Sequence, residues 1–252
     1  MEKLYNQSEI YDLIETERRT GIIRSDWKAF LGDQPIRTLL DVSIGTGAMT
    51  LPLQELGITV SGSDLSDNML SRCKMKAEQK GLPVELKRSD FRDLSCWDGQ
   101  LFDCVVSTGN SIAYVPNEDI PGVLERMNSL VKPGGYICFD SRNWEKIRRE
   151  KQRFYFYSPF FREDYRVNLV QVWDYNNDDT ITFNLLYSFE RDNRVFRREI
   201  FEEHYYPFKK DLALDKLASM GYGEFQLKPL PCEEDETDFD KIDWYRVIAK
   251  KK

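Results

Sequence analysis

The sequence predicts a doubly wound α/β sheet with mostly parallel strands, followed by a smaller antiparallel sheet. Three observations carry this reading. From Ile36 onward, short apolar runs alternate with amphipathic stretches, and such alternation implies parallel pairing through right-handed crossovers. The run "FDCVVSTG" is almost continuously apolar, as suits a strand buried on both faces. After Arg142 the pattern changes to a period of two in "YRVNLVQVWDY", "TITFNLLYSFE" and "RREIFEEHYYPF", the mark of a half-buried antiparallel sheet.

The elements follow in order. Residues 1–35 are expected to form an N-terminal helical segment. "IRTLLDV" reads as the first strand, and "GAMTLPLQELG" as a helix closing at Gly57. "ITVSGSD" is the second strand. "SDNMLSRCKMKAEQKG" is a helix with Ser66 as N-cap and Gly81 as C-cap. "PVELKRSD" and "FDCVVSTG" are the third and fourth strands. "NEDIPGVLERMNSLVKPGG" is a helix with a Pro-Gly-Gly exit, and "YICFDS" is the fifth strand. The sheet domain therefore spans 36–142 and the antiparallel insertion 143–208, with "NNDD" as a turn inside it. Residues 209–252 return to a helix, "KKDLALDKLASMG", and two closing strands, "YGEFQLKPL" and "KIDWYRVIAK". The acidic run Glu233 to Glu236 between them reads as a solvated loop.

Composition narrows the function. The chain has 252 residues, 41% hydrophobic and 31% charged, which is an ordinary soluble make-up. A net charge of −7 argues against long phosphate backbones as partners, so no nucleic acid is expected. The N-terminus has no apolar signal core, and no run is long enough to span a membrane. The five cysteines, Cys73, Cys96, Cys104, Cys138 and Cys232, are scattered and include no CxxC. They read as reduced thiols, mostly in the core of a cytoplasmic protein. The single histidine, His204, cannot build a multi-histidine metal site. No metal is expected.

The chemistry is expected at "DVSIGTGAMT". Ser43-Ile44-Gly45-Thr46-Gly47 lies between a strand and a helix, where bare backbone lets a ligand approach and a helix start favours polar groups. Asp64 ends the second strand about 20 residues on, the position of a carboxylate that accepts ribose hydroxyls. A glycine turn with a ribose acid means a nucleoside cofactor. A nicotinamide dinucleotide would want GxGxxG, but the third position is Thr50, and Asp41 stands just before the turn. S-adenosylmethionine has no pyrophosphate and carries cationic groups that tolerate carboxylates. A plain structural turn is the competing explanation.

These motifs resemble the class I S-adenosylmethionine-dependent methyltransferases from Ile36 to Asp140. The resemblance implies a seven-stranded Rossmann-like sheet whose active site the antiparallel insertion covers. It implies that Asp41, Ser43, Gly45 and Gly47 form the first cofactor motif, with Asp64 in the second. In the third, "RSDF", Asp90 accepts from the adenine amino group and Phe91 packs near the base. "FDCVVSTGNSIAYVP", "MNSLVKPGGYICFDSRNWE", "LLYSFE" and "EEHYYPF" resemble more narrowly the glycine and glycine/sarcosine N-methyltransferases, in order from about Tyr11 onward. That likeness implies that Asn110 and Arg142 bind an amino-acid carboxylate and that Tyr187 and Tyr205 lie near the reacting amine. Thr108 falls at a position contacting the cofactor. In "YDLIETERR", Arg19 is the best match for the arginine holding the cofactor's carboxylate, with Arg18 and Arg24 as alternatives.

The residue types suit that chemistry. Methyl transfer from a sulfonium needs an aligned, neutral nucleophile more than a strong acid. A dry pocket lined by tyrosines disfavours an ammonium and so frees the amine lone pair. Tyr155, Tyr157, Tyr187, Tyr205 and Tyr206 supply aromatic rings, which also suit a cation. His204 could act as a base but more simply packs beside the tyrosines. The expected function is N-methylation of glycine or sarcosine by a monomer or small homo-oligomer. The alternatives are a methyltransferase for another amine, carboxylate or hydroxyl, a cofactor-binding regulator, and, more distantly, a nicotinamide-dependent oxidoreductase.

Overall fold

A computed structural model describes residues 4–231 and 236–252. Cys232 and most of the predicted acidic loop (Glu233, Glu234 and Asp235) lie outside the described residues.

The main sheet holds β1 (Thr38–Asp41), β2 (Thr59–Asp64), β3 (Glu85–Arg88), β4 (Phe102–Ser107), β5 (Val131–Arg142), β11 (Tyr222–Pro229) and β12 (Trp244–Lys251). Their order is β11-β12-β5-β4-β1-β2-β3. The first five strands pair in parallel, and β12 runs antiparallel to β5 and β11. The chain reverses its direction of travel across the sheet between β1 and β4, so the carboxyl ends of these two strands open the ligand crevice. The second sheet holds β6 (Phe154–Phe156), β7 (Phe160–Phe161), β8 (Arg166–Tyr175), β9 (Ile181–Arg191) and β10 (Arg194–Tyr205), all antiparallel. The helices are α1 (Ser8–Tyr11), α2 (Glu17–Leu31), α3 (Asp67–Gln79), α4 (Ile120–Ser129), α5 (Trp144–Glu150) and α6 (Lys210–Ser219). None is long and apolar enough to cross a membrane among the described residues.

Three helical expectations change. The helix predicted from Gly47 is a set of turns followed by a 3-10 helix, Leu51–Leu56, ending at Gly57 in the left-handed region. Pro52 near its start has no N–H to donate, which suits the tighter, shorter form. The helix predicted through Gly135 stops at Ser129, and Val131 to Gly135 open β5 instead. Pro133 could neither donate to a preceding turn nor leave Lys132 helical. The short helix α5 was hidden in a stretch read as sheet. It buries Trp144 and Ile147, and Asn143 caps it by accepting from the Lys146 N–H. Ser66 caps α3 as expected, and Gly81 lies one residue past its C-cap, Lys80, with φ of +66°.

Two buried polar groups fix the frame. Asp41, at the end of β1, has no solvent exposure. Its Oδ1 accepts from the Ser43 N–H at 3.0 Å, and its Oδ2 accepts from the hydroxyls of Thr50 at 3.0 Å and Thr108 at 2.8 Å. One carboxylate thereby ties β1, the glycine turn and the exit of β4 together. The second group is Arg246 of β12. Its Nη1 lies 2.7 Å from Asp26 of α2, its Nη2 lies 3.7 Å from Asp140 of β5, and its guanidinium sits 3.7 Å above the Trp27 ring. This set locks the N-terminal helix onto the sheet.

Removing one partner of a buried ion pair leaves the other charge uncompensated. Arg246→Ala therefore destabilises the fold by about 3–5 kcal/mol, read by calorimetry as a Tm drop of about 10 °C. Burial pushes the Asp41 carboxyl up to about 6. A group raised in the folded state favours folding while protonated, and that contribution is lost as pH climbs through the raised value. Asn at this position can still accept from the Ser43 N–H while its amide faces two hydroxyls that rotate to accept. Between about pH 4 and about pH 7, the wild-type chain therefore loses about 3 kcal/mol relative to Asp41→Asn. Urea unfolding at each pH measures the difference.

Candidate active site

The two glycines of the turn have different reasons. Both are left-handed, with φ of +54° at Gly45 and +79° at Gly47. A Cβ on Gly47 would strike the Leu51 side chain at 2.5 Å and the Cys73 sulfur at 2.8 Å, so this glycine serves packing. A Cβ on Gly45 would meet nothing within 4 Å. Gly45 is thus the bare edge of open space, and its N–H is held at 2.9 Å by Oδ2 of Asp64. The other Asp64 oxygen accepts from the Ser66 N–H at 2.8 Å. Burial raises the pKa of this carboxyl, while the backbone N–H groups oppose the rise. Each oxygen keeps a lone pair for a further donor.

A cavity of about 820 Å³ opens here, walled in part by Ser43, Asp64, Asp90 and Phe91. The volume suits a nucleoside-sized ligand. Asp90 accepts from the Arg92 backbone N–H at 2.9 Å and from its guanidinium at 2.7 Å. Its pKa is lowered chiefly by those guanidinium bonds. Ser43 fastens the turn to β4, because its Oγ accepts from the Thr108 N–H at 3.0 Å. Thr108 spends its own hydroxyl on Asp41. These residues fit S-adenosylmethionine: open space at Gly45 and, beside it, an Asp64 carboxylate with lone pairs left for hydroxyl donors.

The N-terminal segment folds over the same turn. Asp12 accepts from Thr46 at 2.7 Å and from Arg72 at 2.6 Å, and Glu15 accepts from Lys76 at 2.7 Å. This clamp was not legible in the sequence, because it joins residues some 30 to 60 positions apart. It sets Tyr11 within electrostatic reach of both Asp64 and Arg19. Arg19 is exposed and forms no ion pair among the described residues.

Asn110 and Arg142 meet where β4 and β5 end. Asn110 is buried and left-handed, with φ of +64°. Its Oδ1 accepts from Ser141 at 3.1 Å, from the Arg142 N–H at 3.0 Å and from the Trp144 indole at 3.1 Å. Its Nδ2 is a buried donor with no partner among the described residues. The Arg142 guanidinium lies among aromatic rings, 4.7 Å from Trp244 and 5.4 Å from both Trp173 and Phe183. It makes no ion pair among the described residues.

Tyr205 faces this box, its ring 5.4 Å from Trp144 and 4.8 Å from Phe183. Its hydroxyl lies 2.8 Å from that of Tyr114, which in turn donates to Glu203 at 3.0 Å. The Tyr5 hydroxyl joins the same group. Burial first, then the Glu203 charge, raises the pKa of Tyr5 and Tyr205; burial first, then its neighbours Tyr205 and Tyr5, raises that of Tyr114, so the phenols stay neutral. Tyr187 is buried against Phe201, within electrostatic reach of Tyr157, Glu203 and Tyr205. Sequence reasoning missed Tyr5, Tyr114 and Glu203. The period of two does place Glu203 on the same face as Tyr205, and that was the available signal. His204 points to the opposite face, 3.4 Å from the Thr182 hydroxyl.

Comparison with known proteins agrees with the fold and with the cofactor. A methyltransferase-domain family model matches residues 39–135. The demethylmenaquinone methyltransferase of Oceanobacillus iheyensis is 32% identical over 163 residues, covering 63% of this chain and 67% of that protein. The glycine/sarcosine N-methyltransferase of Aphanothece halophytica is 27% identical over 232 residues, covering 88% of this chain and 78% of that one. For two further methyltransferases, from Geobacillus and Bacillus subtilis, the chain spans about half of the relative's length, 51% and 44%. The crystal structure of an S-adenosylmethionine-dependent methyltransferase from Clostridium acetobutylicum superposes with a TM-score of 0.75 at 18% identity, covering 99% of each chain. By its glycine turn, the carboxylate beside it and these relatives, the chain belongs to the class I methyltransferases, whose cofactor is S-adenosylmethionine.

Proposed function

We propose that this protein methylates the amine of a small amino acid, with glycine or sarcosine as the acceptor. The observation that carries the proposal is Arg142. A guanidinium with no ion pair among the described residues, walled by aromatic rings, suits a small carboxylate. The buried Asn110 amide is a second donor on the same rim. The glycine/sarcosine relative supports the reading. Another acceptor class stays in view, because relatives include a ubiquinone-pathway O-methyltransferase from Coxiella burnetii.

S-adenosylmethionine supplies an electrophilic methyl group when bound. The chain's own residues hold and prepare the acceptor. Arg142 and Asn110 anchor its carboxylate, which leaves the amine toward the phenols. The aromatic lining excludes water and disfavours an ammonium. Tyr205 accepts a hydrogen bond from the amine and passes the proton through Tyr114 to Glu203. Glu203 is the acceptor of choice, because the phenols of this group are held neutral.

Two variants test these roles. Arg142→Ala is expected to raise the acceptor KM about 10- to 100-fold while calorimetry shows unchanged binding of S-adenosylhomocysteine. An unchanged KM removes Arg142 from the acceptor site. Glu203→Gln is expected to lower kcat/KM at least about tenfold near neutral pH, with the deficit shrinking in alkali as free amine becomes plentiful. Product analysis across pH with glycine and sarcosine reads both parts. A deficit that is the same at every pH rules out the relay.

A further inference from the structure

We propose that the outer face of the inserted sheet is the seat of a two-fold dimer of this chain. The inner face is fully used: Leu169, Tyr187 and Phe201 are buried there against the N-terminal segment. The outer face carries an apolar stripe that crosses all four long-path strands. Val170, Leu186 and Ile200 are register partners on β8, β9 and β10, and Phe156 of β6 pairs with Val170. Phe154 stacks on Phe156 at 6.3 Å and widens the stripe at one edge. Phe156 is 72% exposed, Phe154 51% and Ile200 50%. Val170 and Leu186 are half-buried and belong to no buried cluster. A continuous apolar band on a sheet face marks an interaction surface rather than scattered surface residues.

The charges on β10 select a second copy as the occupant. Arg198 lies two residues before Ile200 on the outer face, and Glu202 lies two residues after it. Both are exposed, and neither has an ion pair or side-chain hydrogen bond among the described residues. A two-fold axis along the stripe lays each strand over its own counterpart, reversed about Ile200. Arg198 of one protomer then faces Glu202 of its partner, and the exchange occurs twice. Isologous contacts demand such self-complementarity, and aligned sheet-on-sheet packing supplies the geometry. A partner of other chemistry would have no reason to find opposite charges placed evenly about the band.

Sedimentation equilibrium of the full chain tests the assembly, with circular dichroism confirming that each variant is folded. The wild-type protein is expected at twice the chain mass at micromolar concentration. Arg198→Glu and Glu202→Arg each place like charges face to face and are expected to weaken the dimer at least tenfold. The double variant, R198E with E202R, is expected to restore it, and Ile200→Lys to abolish it. A monomeric wild-type chain overturns the proposal. So does a dimer indifferent to both single charge reversals, or a folded double variant that stays monomeric.

Discussion

A single buried carboxylate holds the site in shape. Asp41 gathers a backbone N–H and two hydroxyls from three parts of the chain. Burying a carboxylate is costly unless donors surround it, and here each donor belongs to an element that must meet the others. Ser43 carries the glycine turn, Thr50 precedes the short 3-10 helix, and Thr108 carries the exit of β4. The crevice between β1 and β4 is therefore a hydrogen-bonded corner and not merely a gap between strands. Asp64 extends that corner by fixing the Gly45 N–H from the next strand.

The second half of the site is assembled on that corner from above. The N-terminal segment is pinned to the turn through Asp12, Thr46 and Lys76. The inserted sheet presents Trp173, Phe183 and Tyr205 toward Arg142 and Trp144. Asn110 links the two halves. Its side chain receives three donors from the β5 exit and α5, and its backbone N–H bonds Asp140 at 3.0 Å. A left-handed asparagine is tolerated where such bonds over-determine it. The inserted sheet thus turns one face toward Arg142 and Trp144 and leaves the other exposed, the two set apart by the alternation along each strand.

How much of this was legible depended on distance along the chain. The strand-helix alternation, the glycine turn and the place of Asp64 at a strand end follow from local pattern, because parallel α/β folds place ligands by rule. The Leu51–Leu56 turn and the end of α4 were misjudged, because apolar periodicity outweighed what Pro52 and Pro133 forbid. Helix α5 was missed because it spans only seven residues, too few to show a period.

The sequence by itself determined the sheet, the turn where backbone lies bare, and the two faces of each inserted strand, since these depend on residues close together in the chain. Only the tertiary structure decided that Tyr5, Tyr114 and Glu203 share one hydrogen-bonded group, that aromatic rings from four separate elements enclose Arg142, and that Gly47 answers to packing while Gly45 faces open space. Those facts depend on which side chains meet once separate elements have packed, as between Tyr5 and Tyr114, 109 positions apart. Pattern along a chain carries no record of such meetings, because they are fixed by how whole elements pack.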